Sequence, residues 1–170
     1  LRAEHGHDAM DPQRIRSSVS NGARALVSLG LDINEDAPEF ESKRLRLLEL
    51  YSQVVGTMAS PYPGIESLLA RLQAKGIVWG ISTNKPRAYT EPLLARLNIQ
   101  PPPGSVICPD DITHRKPHPE SLYRNCHDLH CAPHEAIYIG DHLRDIEAGR
   151  RAGMYTIAAA YGYIEENDDP

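Results

Sequence analysis

The sequence predicts an α/β fold, in which a parallel sheet flanked by helices follows a purely helical segment. Two observations support this prediction. From about residue 61 onward, short apolar runs alternate with helical patterns, whereas residues 1–60 contain helical patterns alone. The runs are continuously apolar, which is typical of parallel strands that helices cover on both faces. A length of 170 residues suits one domain with a full core, or a core with a small insertion.

Residues 1–60 predict three helices and no strand. The sequence SNG at 20–22 breaks the first helix, and a second is expected over 23–29 with Gly30 as its stop. A third helix is expected to begin at Asp36. It carries an apolar stripe at helical spacing, made of Phe40, Leu47, Leu48, Tyr51, Val54 and Val55.

Four strands are predicted after the sequence SPYPGI, whose prolines and glycine interrupt helical patterns. Helices are expected before and between these strands. One of them ends at Gly76, one has a kink or a late start at Pro92, and one runs to Gly153. A further helix is expected around 119–130. The strands are expected at 77–82, 105–108, 136–140 and 156–160.

Composition argues against several classes of function. The net charge is −5 and the basic residues are scattered, so no nucleic-acid surface is expected. No apolar run is long enough to cross a bilayer, and the N-terminus is too polar for a signal peptide. Three cysteines without CxxC spacing predict a reducing cytoplasm and no zinc site. Of eight histidines, only His127 and His130 are close enough to share a helix face, and we expect that pair to be solvated.

Residues with useful chemistry follow three successive predicted strands. Thr83 and Asn84 come after the first, Lys116 comes beyond the second, and Asp141 and Asp145 come after the third. Ligands of parallel sheets bind beyond the carboxyl ends of the strands, so we expect these residues to project over one edge of one sheet. The two carboxylates are hard oxygen ligands that suit Mg²⁺. Together the five residues predict a site for a dianionic phosphate and for phosphoryl transfer.

Each of these residues also has a simpler interpretation. Thr83 and Asn84 belong to the residue types that cap helices, and Lys116 on its own would usually be a solvated loop residue. Asp141 is a possible helix cap, and Asp145 is a possible first-turn acid favoured by the helix dipole. The phosphate interpretation rests on the set and its order along the chain.

Three of these stretches resemble motifs of the haloacid dehalogenase superfamily of aspartyl-phosphate phosphatases. GISTNKP (80–86) looks like the second motif of that family, RKPHPE (115–120) the third, and YIGDHLRDIEAGRRAG (138–153) the fourth. The segment SNGARALV (20–27) resembles the cap loop of phosphoglycolate-phosphatase-like members. This segment and several loops of the chain look most like those of the N-acetylmuramic acid 6-phosphate phosphatases.

The resemblance implies a Rossmann-like parallel-sheet core at 61–170 and an α-helical cap at 1–60. It implies a Mg²⁺-dependent phosphatase that acts on a small phosphorylated metabolite through an aspartyl-phosphate intermediate. In such an enzyme Thr83 would bind the phosphoryl group, Asn84 would shape the site and Lys116 would bridge phosphate and nucleophile. Asp141 would bind Mg²⁺ directly or through a water molecule, and Asp145 would support Asp141.

The resemblance also implies substrate-binding residues in the cap loop. Ser20 and Asn21 belong to that loop, and Gly22 would let its backbone approach the site. Arg24 would read a substrate carboxylate with its forked guanidinium, and the alternative is that Arg24 is a solvated helix residue.

The sequence departs from the family pattern in two respects. His118 and His142 stand where acidic residues are common in close relatives. The first motif of the family, an Asp-x-Asp after an apolar strand, is absent from residues 1–170. That motif supplies the nucleophile and lies on the central strand of the sheet, so we expect further residues before Leu1. The polar, acidic ending of the sequence leads us to expect further residues after Pro170 as well. The alternatives are a non-catalytic phosphate- or partner-binding fragment, a same-fold haloacid dehalogenase and a sugar-phosphate mutase.

Overall fold

The computed structural model describes residues 1–162 and confirms the α/β class. The chain divides into two compact units. One comprises Leu1–Val54 together with the end of the described chain from Ala159, and the other comprises Val55–Ala158. Among the described residues, none of the helices has the length and apolarity that crossing a membrane requires.

The first unit is helical, as its sequence predicts. Its three α-helices are α1 (Pro12–Ser18), α2 (Gly22–Leu31) and α3 (Phe40–Val54), and short 3-10 helices lie at Ala3–His5 and Val19–Asn21. A small apolar core joins α2 to α3. It consists of the buried residues Val27, Leu31 and Phe40, with Ile33, Ala37 and Leu47 packed against them.

The helix boundaries in this unit differ from the predictions at two points. Gly30 does not stop α2, which continues to Leu31 and ends where Asp32 adopts a left-handed φ of 54°. Burial of Leu31 in the core favours the longer helix, and an aspartate tolerates this backbone conformation. The third helix begins at Phe40 instead of Asp36. Val54, expected in its apolar stripe, is exposed.

The second unit alternates helices and strands. Its helices are α4 (Ile65–Ala74), α5 (Arg87–Leu97, with Pro92 inside it), α6 (Glu120–Asp128) and α7 (Leu143–Ala152). Its strands are β1 (Gly80–Ser82), β2 (Ser105–Ile107), β3 (Ile137–Gly140) and β4 (Tyr155–Ala158). Both strand pairs are parallel, with Ile81 opposite Val106 and Tyr138 opposite Thr156. Helices α6 and α7 pack together through Leu122, Ala148 and Ala152.

The described strands do not form one continuous sheet. The strands form two separate pairs, β1 with β2 and β3 with β4. Ile137 and Ile157 remain about half exposed, at 60% and 49%. Two pairs are what the resemblance implies for residues 1–170 alone, because its central strand would lie between them. β1 is also shorter than expected, since Ile77 and Val78 are exposed and lie outside it.

Candidate active site

Lys116 lies at the centre of a buried polar cluster in the second unit. Its Nζ lies 2.7 Å from Asp145 Oδ1 and donates to the carbonyl of Ser82 at 2.9 Å and to the hydroxyl of Tyr138 at 2.8 Å. The side chains of Lys116 and Asp145 are only 8% and 9% exposed. The ends of β1 and β3 and the first turn of α7 therefore meet at one ammonium group. The solvated-loop interpretation of Lys116 is wrong for this structure.

Asn84 holds the backbone of Lys116 in place. Its Nδ2 donates to the Lys116 carbonyl at 3.2 Å, and its Oδ1 accepts from the Lys116 backbone N–H at 3.2 Å. A side-chain amide that pairs with both the N–H and the C=O of one residue fixes the loop against the end of β1. Arg151 supports the same loop by donating to the Pro117 carbonyl at 3.1 Å.

Thr83 continues the β1–β2 ladder by one residue. Its backbone N–H donates to the Ile107 carbonyl at 3.0 Å, and its Oγ1 accepts from the backbone N–H of Lys85 at 3.1 Å. The hydroxyl thus shapes the turn that follows β1.

Asp145 combines a cap with an ion pair. Its Oδ2 accepts from the backbone N–H of His142 at 3.2 Å, and the Asp145 backbone N–H donates to the His142 carbonyl at 2.8 Å. Its Oδ1 receives Lys116 and also the Tyr138 hydroxyl at 3.2 Å. The expected first-turn acid is therefore present, and the same carboxylate neutralises the buried lysine.

Gly140 allows this approach of α7 to β3. A Cβ built on Gly140 would lie 2.3 Å from the Cβ of Asp145, closer than side chains ever come. Only a residue without a side chain fits at this position, which explains the glycine at the end of β3, directly before Asp141.

Asp141 is half-buried at the end of β3. Burial raises the pKa of the Tyr138 phenol well above its usual value of 10.0, and the negative charges of Asp145 and then Asp141 raise it further. Asp141 therefore lies close enough for its charge to act on the cluster. Both oxygens of Asp145 accept hydrogen bonds from protein donors, Oδ1 from the Tyr138 hydroxyl and Oδ2 from the His142 backbone N–H.

Tyr138 was not identified from the sequence. A tyrosine inside an apolar strand is usually a core residue, and its hydroxyl gives no local signal. One feature of the sequence could have indicated its role: Tyr138 stands two residues before Gly140, on a strand that ends at the site.

The cap-loop residues lie in the first unit. Ser20 and Asn21 belong to the turn before α2, and Gly22 has φ 80° and ψ −170°, a conformation that suits glycine. Arg24 is 53% exposed, forms an ion pair with Glu35 at 2.6 Å, and stacks over the Phe40 ring at 5.0 Å. Its guanidinium thus already binds a carboxylate within its own unit.

Residues 4–159 match the family model for haloacid dehalogenase-like hydrolases. The chain belongs to this family. The resemblance and the hydrolase class that the motifs predict are therefore confirmed.

Relatives with curated names are similar over the whole chain. It is 42% identical over 170 residues to the N-acetylmuramic acid 6-phosphate phosphatase of Pseudomonas aeruginosa, and covers 75% of that protein. It is 36% identical over 170 residues to the phosphoglycolate phosphatase of Xanthomonas campestris, and covers 76% of it.

A solved structure supports the fold. The chain resembles a predicted phosphoglycolate phosphatase from Haemophilus somnus with a TM-score of 0.79 and 24% identity, covering 92% of this chain and 73% of the other. The Rossmann-like α/β core expected from the motifs is therefore confirmed at the level of the fold.

Proposed function

We propose that this family member hydrolyses phosphoglycolate, N-acetylmuramic acid 6-phosphate or a phosphorylated metabolite of similar type. Its family and the names of its relatives support the broader activity, that of a phosphatase of small phosphorylated metabolites. The two candidate substrates are those named for the similar proteins of Pseudomonas aeruginosa and Xanthomonas campestris. A phosphoric monoester hydrolase was the enzyme class that the sequence predicted.

The buried Lys116 is the observation that supports this proposal most strongly. A protein interior rarely holds an ammonium unless it is paired, and here it is held at the ends of two strands. Strand ends are where parallel sheets bind ligands, and a fixed cation there stabilises the charge of a transferring phosphoryl group. In this role Lys116 contacts the phosphate and the attacking carboxylate, and Asp145 is a positioning residue for its ammonium.

The remaining residues of the site have supporting roles in the proposal. Thr83 donates its hydroxyl hydrogen to a phosphoryl oxygen, while Asn84 fixes the loop that carries Lys116. Asp141 is the proposed ligand for Mg²⁺, and Asp145 supports it through the shared cluster. Mg²⁺ bound there would neutralise charge on the phosphate oxygens.

An attacking aspartate completes the proposed chemistry. Its carboxylate oxygen would bond to phosphorus as the ester P–O bond breaks, giving an aspartyl phosphate that water then hydrolyses. Residues 1–170 contain no Asp-x-Asp sequence. The proposal therefore takes this aspartate from a segment outside these residues, and an intact mass above 18.9 kDa would agree with it.

The cap loop is proposed to select the substrate. Gly22 gives the loop its backbone conformation, with Ser20 and Asn21 beside it. Arg24 now pairs with Glu35, and it would release Glu35 in order to bind a substrate carboxylate. We also propose a cytoplasmic location, which agrees with the free thiols of Cys108, Cys126 and Cys131.

Phosphate release tests the proposal. The protein as isolated, its intact mass first measured, is incubated with Mg²⁺ and each of the two phosphorylated substrates, and inorganic phosphate is followed. Activity that Lys116→Ala and excess chelator abolish, and that the exposed control Lys75→Ala retains, is the expected result.

Other results would overturn the proposal. Dehalogenation of a halogenated acid in excess chelator would indicate a haloacid dehalogenase. An isomerised sugar phosphate without phosphate release would indicate a mutase. Phosphate binding without turnover, at a mass of 18.9 kDa, would indicate a binding fragment.

A further inference from the structure

Two imidazoles and a carboxylate converge on the loop that carries Lys116. His114 Nδ1 lies 3.0 Å from Glu120 Oε2, and His118 Nδ1 lies 3.9 Å from the same oxygen. The two imidazole rings have their centroids 4.6 Å apart. One potential ligand atom from each of the three residues lies within 4.8 Å of the others.

These separations suit a first-row transition metal. Zinc binds imidazole nitrogen and carboxylate oxygen at about 2.0–2.1 Å, and tetrahedral angles then place neighbouring ligand atoms roughly 3.3 Å apart. The observed separations of 3.0 and 3.9 Å lie on either side of that value. A set of two nitrogens and one oxygen favours Zn²⁺ or Co²⁺ over Mg²⁺, which prefers oxygen ligands.

The carboxylate of Glu120 is already held in place. The backbone N–H groups of Thr113 and His114 donate to its two oxygens, each at 2.8 Å. Fixing a ligand by hydrogen bonds from its neighbours is how proteins orient metal-binding groups.

The Nδ1 atom of His118 accepts a hydrogen bond from the backbone of Glu120. The backbone N–H of Glu120 donates to His118 Nδ1 at 3.3 Å, which assigns the ring hydrogen to Nε2. The backbone N–H of His118 donates to the Arg115 carbonyl at 3.0 Å and fixes the turn. A bound metal would replace the 3.3 Å hydrogen bond at His118 Nδ1. It would also take the place of the hydrogen between His114 Nδ1 and Glu120 Oε2.

We propose that His114, His118 and Glu120 form a binding site for a divalent transition metal such as Zn²⁺, separate from the magnesium ligand Asp141. Water or another ligand occupies the fourth position. The two histidines stand two residues before and two residues after Lys116, so the bound metal ties together the loop that presents this lysine.

Direct metal titration tests the site without reference to activity. The protein is treated with chelator, desalted and titrated with Zn²⁺ by calorimetry and with Co²⁺ by visible absorption. We expect one tightly bound equivalent, the intense Co²⁺ bands of a four-coordinate site, and no displacement by excess Mg²⁺. His114→Ala, His118→Ala and Glu120→Gln should each weaken Zn²⁺ binding by at least about tenfold.

Two controls make the outcome decisive. His134 is exposed and lies outside the cluster, so His134→Ala should bind Zn²⁺ as the parent chain does. Zn²⁺ should also slow tryptic cleavage after Arg115 in the parent chain and in His134→Ala, but not in His118→Ala. Zn²⁺ binding that survives His114→Ala and His118→Ala, in variants with unchanged circular dichroism, would overturn the proposal.

Discussion

The ion pair between Lys116 and Asp145 provides the sharpest test of the buried cluster. Lys116→Met removes the charge and keeps most of the side-chain volume. Asp145 would then be a buried carboxylate without its cation, a change that typically costs about 3–5 kcal/mol. Donors from Tyr138 and the His142 backbone remain on Asp145, so we expect a loss near the lower end, about 3 kcal/mol.

A double-mutant cycle separates the pair from other effects of each substitution. Asp145→Asn removes the charge of the partner, and the double variant removes both charges. The loss in the double variant should be smaller than the sum of the two single losses by about 1–3 kcal/mol. Urea unfolding followed by circular dichroism measures each free energy.

A control variant and a clear contrary result accompany this cycle. Lys75 is exposed at the end of α4, so Lys75→Met should change the free energy of unfolding by less than about 0.5 kcal/mol. If Lys116→Met costs less than about 1 kcal/mol, or if the two single losses add within about 0.5 kcal/mol, the ion pair does not stabilise this unit as argued.

Three further predictions concern the same elements. Gly140→Ala should destabilise the chain by about 1–3 kcal/mol, because the added Cβ would overlap Asp145. Gly30 lies inside α2 with open space around it, so Gly30→Ala should stabilise the chain by about 0.5–1 kcal/mol. Equal urea midpoints for the two variants would contradict this packing argument. Gly22→Ala should cost about 1–3 kcal/mol through its backbone conformation alone, and an unchanged midpoint would show that the turn relaxes. The pKa of Tyr138 is raised in the folded state, so above pH 10 the folded chain keeps a proton that the unfolded chain loses. The free energy of unfolding should therefore fall as the pH rises above 10. Tyr138→Phe should reduce that fall, as measured by thermal melts between pH 9 and about 11, and an identical fall in the variant would contradict the assignment.

The meeting of Lys116 with the strand ends could be predicted from the sequence because it depends on a general property of parallel strands. Carboxyl ends lie at one edge, so residues after successive strands come together whatever the loops do. The partner of Lys116 could not be predicted in this way. Asp145 was expected beside a metal, and its contact with the lysine depends on how closely α7 approaches β3 at Gly140.

The apolar pattern alone does not predict the division into two strand pairs. An apolar run identifies a strand from a few residues, but the neighbours of that strand are set by pairing between distant parts of the chain. The runs at 105–108 and 136–140 correctly located β2 and β3. Their pattern contains no information on whether β1 and β3 pair with each other. The ion pair of Arg24 with Glu35 is likewise a tertiary contact beyond the end of α2.

The three contacts of Lys116 Nζ have a consequence for how tightly the proposed site would hold phosphate. An ammonium group carries three hydrogens, and Ser82, Tyr138 and Asp145 supply three acceptors around it. A phosphate oxygen can receive one of these hydrogens only by displacing a present acceptor. The gain on binding is then the difference between two hydrogen bonds of similar kind, added to the attraction between charges. In the proposed role of Lys116, this exchange of acceptors would limit how tightly the site holds inorganic phosphate after hydrolysis.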